Sequence, residues 1–242
     1  MSLMNSYRFD EAIKQFDAAV MLKPENEYFR MFLNVARARQ QIPGRLPDIK
    51  ALADSDPTNV KARVDLIRQL AFIGRVDEAE VYVKQIYDLD PSDPSIFVHI
   101  GVAYSEARKS DKAIVAFKKA LEKGQDGGAY LNLAMVSARA GNADAASTAF
   151  EKVIELKPDA AGIMHGYANH LLKNGKRREA LEMYKRSLAI TPNNAAVVFE
   201  VGLLSLKLGE RDAAVVYLER LKVLDPRSAA ILSRCITLKI WG

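Results

Sequence analysis

Gly141-Asn142-Ala143-Asp144-Ala145-Ala146-Ser147-Thr148-Ala149-Phe150-Glu151-Lys152-Val153-Ile154-Glu155-Leu156-Lys157-Pro158 decides the fold, because its marks recur along the chain. Its proline is one of Pro24, Pro57, Pro91, Pro158, Pro192 and Pro226. These stand 33 or 34 residues apart, or 67, which is two such intervals. The phrase before it recurs as Leu22-Lys23-Pro24, Leu89-Asp90-Pro91 and Leu224-Asp225-Pro226. Proline cannot continue a helix, so each marks a stop. Twelve residues before the stop stands alanine, at Ala12, Ala79, Ala146, Ala180 and Ala214, with Ala113 in phase where the proline is missing. Eight before it stands a large apolar residue: Phe16, Val83, Phe150, Tyr184 and Leu218, with Phe117 in phase. Glycine punctuates mid-unit at Gly74, Gly141, Gly175 and Gly209. Aspartate follows three residues later at Asp77, Asp144 and Asp212, and in phase at Asp10 and Asp111. A carboxylate there suits a helix start, where it satisfies free N–H groups and the helix dipole.

Each unit therefore reads as helix A, short turn, helix B, proline stop. Helix A carries a second apolar set, such as Phe97, Ile100, Gly101 and Tyr104, or Tyr130, Leu133, Ala134 and Ser137. Spacings of three, four and seven put each set on one helical face. Small residues at Gly101, Ala134, Ala168 and Gly202 stand opposite the large residues of helix B, which permits close antiparallel packing.

The composition agrees with an ordered chain. Its 242 residues are 49% apolar and 27% charged, with a net charge of +5. No apolar run approaches the roughly 18 residues of a spanning helix, and no signal peptide is visible. Membrane insertion is not expected. A soluble protein is, with the cytoplasm favoured over the periplasm but no compartment assigned. The single cysteine, Cys235, forms no internal disulfide.

The pattern resembles the tetratricopeptide repeat (TPR) family, whose unit of 34 residues is a helix–turn–helix. The resemblance covers nearly the whole chain. It implies an all-α fold, a solenoid of antiparallel helix hairpins wound into a right-handed superhelix with A helices lining the concave side. Residues 1–25 hold the end of helix A and all of helix B of a partial repeat. Repeats two to seven span 26–59, 60–93, 94–126, 127–160, 161–194 and 195–228, and 229–242 form a final helix A or capping helix. All belong to one continuous solenoid domain, in which each hairpin buries its apolar face against its neighbours.

Two repeats depart from the pattern. In repeat two the glycine is Gly44, although phase predicts position 40. A longer A segment or loop is expected, then a short helix B starting near Pro47, with Pro43 stiffening the connection. In repeat four Gly124-Gln125-Asp126-Gly127-Gly128 replaces the proline stop, as a helix C-cap with a tolerated turn or as a hinge. The ends read as those of a piece cut from a larger protein. Met1-Ser2-Leu3 leads straight into mid-repeat, and the apolar segment Ile231 to Trp241 has no following helix B. That segment also offers a surface for self-association.

Catalytic and ligand motifs are absent. His99, His165 and His170 lack metal-pair spacing, no phosphate-cradling loop or Gly-x-Ser-x-Gly is present, and the carboxylates fit helix starts and exposed faces. No enzyme activity, metal or cofactor is expected. Lys118, Lys119 and Lys123, and Lys173, Lys176, Arg177 and Arg178, are mixed with acids and lack free aromatics, so nucleic acid is not the expected partner.

The family resemblance implies which helix A phases face the concave groove. They carry Arg30, Asn34 and Arg37, then Lys61, Val64 and Arg68, then Val98 and Val102, Leu131 and Met135, His165 and Asn169, and Phe199 and Leu203. The early part is polar and basic, the later part apolar. The family's clamp for chaperone C-terminal carboxylates begins with Arg30 and Asn34. It then fails, because Asp65 replaces an asparagine and Ser95 and His99 replace two basic residues. The expected function is a non-enzymatic interaction module. It would bind a peptide or helix with apolar anchors and some acidic character. The alternative is a regulatory or structural arm of a larger protein, packing on its own missing domain. Bacterial secretion, pilus or polysaccharide-export assemblies and TPR-linked transferases use arrays in that way.

Overall fold

A computed structural model describes residues 9–238; the calls on Met1–Leu3 and on Ile240 and Trp241 lie outside them. Thirteen α-helices and no strand occur among the described residues, in two compact halves that divide between Gln125 and Asp126. The first half holds α1 (Phe9–Leu22), α2 (Glu27–Ser55), α3 (Val60–Phe72), α4 (Val76–Leu89), α5 (Pro94–Glu106) and α6 (Ser110–Lys123). The second holds α7 (Gly127–Arg139), α8 (Ala143–Leu156), α9 (Ala161–Lys173), α10 (Arg177–Ile190), α11 (Ala195–Lys207), α12 (Arg211–Leu224) and α13 (Pro226–Leu238). Within each half, successive helices pair as antiparallel hairpins, and hairpins stack on their neighbours.

The hairpin turn is built the same way five times. The residue after the turn donates its N–H five residues back: Arg75 to Leu70, Lys109 to Tyr104, Asn142 to Ser137, Lys176 to Leu171 and Glu210 to Ser205, at 2.8–3.0 Å. This closure needs a left-handed residue just before the donor. Gly74, Gly141, Gly175 and Gly209 supply it with φ of 78–87°. In repeat four Arg108 takes the same position at φ 59°, a conformation that costs a side-chain-bearing residue about 1–2 kcal/mol.

The small-against-large pairing is tightest at Gly101. A methyl group there would meet the Phe117 ring at 2.5–2.8 Å, and one on Gly202 would meet Leu232 at 2.6 Å. Ala113, Ala116, Phe117 and Ala120 on α6 are buried, as are Phe97, Ile100, Gly101 and Tyr104 on α5.

Two expectations need correction. The turn of repeat two is absent: α2 runs unbroken through Pro43, Gly44 and Pro47 to Ser55. Position 40 is Gln40, and Gly44 does not take a positive φ, so no residue there closes a hairpin. Ala38, Arg39, Gln40 and Gln41 are good helix formers, and Leu33, Ala36, Leu46 and Ala53 are buried along the length of the helix. The prolines withhold two N–H groups but do not end it.

The phased aspartates are also not N-terminal caps. Asp77, Asp111, Asp144 and Asp212 lie in the first turns of α4, α6, α8 and α12, where they complement the dipole. Side-chain caps instead close the A helices. Asn26, Asn59, Asp93, Asp126 and Asn194 accept from backbone N–H groups at 2.8–3.4 Å. Their 33–34-residue spacing is itself a repeat mark, missing only at Ala160, which makes no side-chain cap.

Candidate partner-binding faces

In the first half the basic phases lie on α2 and α3. Arg30 is exposed but tied to its own chain, donating from Nε to the Pro24 carbonyl at 2.8 Å. Asn34 is exposed one turn on. Arg37 pairs with Asp17 of α1 at 2.9 Å, with both side chains about half exposed. Lys61 is exposed, and Arg68 is exposed with Asp65 at 3.9 Å. Val64 is 6% exposed and belongs to the core. The cause is that α3 is enclosed, burying Ala62, Arg63, Val64, Leu66, Ile67, Leu70 and Ala71. On α5, Val98 and Val102 are half-buried and one turn apart.

In the second half Met135 is 56% exposed and Leu131, one turn earlier on α7, is half-buried, while Leu133, Ala134, Val136 and Ser137 are buried. On α9, His165 is half-buried and packs 5.7 Å from the Tyr184 ring. Asn169 is exposed, and its Oδ1 accepts the Tyr184 hydroxyl at 2.5 Å. Burial and the nearby Glu200 push Tyr184 up to about 12. Phe199 and Leu203 on α11 are half-buried.

Sequence reasoning missed Arg63. It is 4% exposed, and its Nε donates to Gln85 at 2.8 Å while another guanidinium nitrogen donates to the Asp56 carbonyl at 3.1 Å. It staples α3 to α4 and to the preceding turn. The signal was available: Arg63 is in phase with Phe97 and Tyr130, the first large residues of the buried sets on the following A helices. Among the basic clusters, Lys119 and Lys123 both pair with Asp90, at 3.2 and 2.7 Å. Among the described residues no three His, Cys, Asp or Glu side chains gather as a metal site, and no helix is long and apolar enough to cross a membrane.

Two family profiles described as Tetratricopeptide repeat match the chain, at residues 100–161 and 137–197. No curated protein is significantly similar. Among solved structures, YrrB, described as a TPR protein with an unusual peptide-binding site, is similar at 17% identity and a TM-score of 0.59, over 77% of this chain and 97% of that one. A crystal structure of MamA is similar at 20% identity and a TM-score of 0.56, over 76% and 96%. Another MamA structure gives 22% and 0.57, over 71% and 94%.

Proposed function

The chain is thus a member of the tetratricopeptide repeat family, its matched repeats lying in residues 100–197, and from that premise we propose that it is a non-enzymatic protein-interaction scaffold. It takes a peptide or helix with apolar anchors on the A-helix faces. The observation that carries this reading is the pair Leu131 and Met135. They are one turn apart, and Met135 is 56% exposed on a helix that buries Leu133 and Val136. Val98 and Val102 repeat the arrangement on α5. Burying such aliphatic side chains is worth about 1.5–3 kcal/mol each, before the cost of ordering the ligand. That YrrB is described as having a peptide-binding site supports a peptide ligand for this array too. Val64 is left out of the proposed face because it is buried.

The test is selection of a random peptide library on the immobilised chain, beside its Val102→Glu, Met135→Glu variant. The native chain is expected to enrich peptides with apolar residues at helical or alternate spacing, and the variant to lose them. Equal enrichment by both would move binding off these faces.

A further inference from the structure

Two adjoining cavities open in the first half, where the ends of α3 and α5 approach the middle of α2. One, of about 250 Å3, is lined by Arg39, Phe72, Asp77, Glu106, Arg108 and Lys109. The other, of about 400 Å3, is lined by Gln41, Arg45, Arg68 and Gln69, and shares Phe72 and Glu106 with the first. They exist because of the unbroken α2. In repeats three and four the chain turns back at Gly74 and Arg108, whereas α2 carries Arg39, Gln41 and Arg45 straight past those turns.

The lining is unbalanced in charge. Five cationic side chains face two carboxylates, Asp77 and Glu106. Among the described residues, none of Arg39, Arg45, Arg108 and Lys109 makes an ion pair, and Arg68 has only Asp65 at 3.9 Å. Arg39 lies over the Phe72 ring at 4.5 Å, which fixes the guanidinium plane. Its Nε is buried and donates to nothing among the described residues. Burial pulls its pKa below the ordinary arginine value, with Glu106 opposing the shift. A buried donor left unpaired is costly, and an entering carboxylate would relieve it.

We infer that this double cavity is a docking site for an acidic protein segment, one carboxylate taken by Arg39 above Phe72 and another by Arg45 and Arg68. A nucleic acid fits less well. Its bases need free aromatic faces, and the Phe72 face is already covered by Arg39, while Asp77 and Glu106 interrupt any phosphate track. The inference rests on the scaffold reading and adds the charge of the partner, but it uses none of the apolar residues of that reading.

The experiment titrates the whole chain into fluorescein-labelled hexaglutamate, read by anisotropy at about 0.15 M salt, where distant charges are screened. Labelled hexaglutamine and a short single-stranded RNA are run beside it. Saturable binding of hexaglutamate alone is expected. Arg45→Glu with Arg68→Glu, both exposed, should weaken it about tenfold or more, and so should Arg39→Gln. A control with the same charge change, Lys84→Glu with Lys118→Glu, should shift it by less than about twofold. No saturable binding, equal losses in the control, or tighter binding of RNA lost through the same variants would each overturn the proposal. The Met135→Glu single variant, whose charge lies on α7 outside the cavity lining, should bind hexaglutamate normally. If it does while the peptide selection fails, the apolar-groove reading alone falls.

Discussion

Two helical glycines in this chain carry opposite predictions, and Gly101 is the more informative. Replacing an interior helical glycine by alanine stabilises by about 0.5–1 kcal/mol where space allows. Gly166 on α9 has nothing within 4 Å of an added methyl, so Gly166→Ala should show that gain. At Gly101 the same methyl would sit 2.5 Å from Phe117 Cε1 and 2.8 Å from Cζ, about 1 Å inside normal contact. Phe117 is 1% exposed and cannot swing into solvent, so α5 and α6 must separate or the ring must leave its rotamer. Overpacking of this kind costs about 1–3 kcal/mol, which exceeds the propensity gain, and Gly101→Ala should lose about 1–2 kcal/mol net. Leucine lacks the Cε1 and Cζ atoms and keeps only a Cδ, at the third close approach of 2.7 Å, on a branch that can rotate, so Phe117→Leu should relieve most of the clash. The double variant should be about 1 kcal/mol or more better than the sum of the single losses. Urea unfolding followed by circular dichroism gives the values, with unchanged m confirming comparable transitions. Hydrogen exchange of the α5 and α6 amides localises the effect in an array that need not unfold as one. Stabilisation by Gly101→Ala like that of Gly166→Ala, or strict additivity with Phe117→Leu, would refute the packing argument.

Other outcomes follow from the same repeat geometry. Arg108→Gly removes the left-handed strain at φ 59° and, after the entropy gained by the unfolded chain, should stabilise by about 0.5–1 kcal/mol in the same urea assay. Gly141→Ala, at φ 82° with open space around it, should lose about 1 kcal/mol through strain alone. Ala160→Asp supplies the cap that α9 lacks and should raise stability by about 1 kcal/mol, read as a shift of the unfolding midpoint. Tyr104, Tyr167 and Tyr184 are buried and held up at about 12, so the folded chain keeps their protons after the unfolded chain begins to lose them near 10. Stability should therefore be intact below about pH 10 and fall as pH rises toward 12, with phenolate absorbance lagging in the folded protein. An unfolding free energy that stays level across that range would contradict the burial of these hydroxyls.

Much of the architecture was legible because several marks share one period. The glycines at 74, 141, 175 and 209 name their turns, and Gly101 marks a close approach of helix B, whose contacting residue, Phe117, comes from the structure. The candidate faces were less legible. A helical phase says which way a residue points but not what covers it: Val64 and Val98 share a phase, yet α3 is enclosed and α5 leaves Val98 half-exposed. Arg30 and Arg37 read as free cations, but Pro24 and Asp17 claim them through chain geometry that no periodicity encodes. The A-helix caps were readable and were passed over. Asn26, Asn59, Asp93, Asp126 and Asn194 sit near the more conspicuous proline stops and carry the same period.

Repeats two and four together separate what makes a turn from what merely permits one. Repeat two has Pro43, Gly44 and Pro47, three residues associated with helix ends, and no turn. Repeat four has no glycine at the turn position, yet closes through Lys109 to Tyr104 at 2.8 Å and forces Arg108 to positive φ. Residue type therefore sets the cost of the turn, and packing of the hairpin decides whether it forms. On α5 and α6 the Gly101–Phe117 contact and the buried alanines hold two helices face to face, and the left-handed strain at Arg108 is borne. On α2 the buried residues Leu33, Ala36, Leu46 and Ala53 are spread along both halves of one rod, and no left-handed residue closes a hairpin between them. The straight course of α2 in turn carries Arg39 and Arg45 to the ends of α3 and α5, so the loss of one turn creates the cationic cavities as well as the irregular repeat.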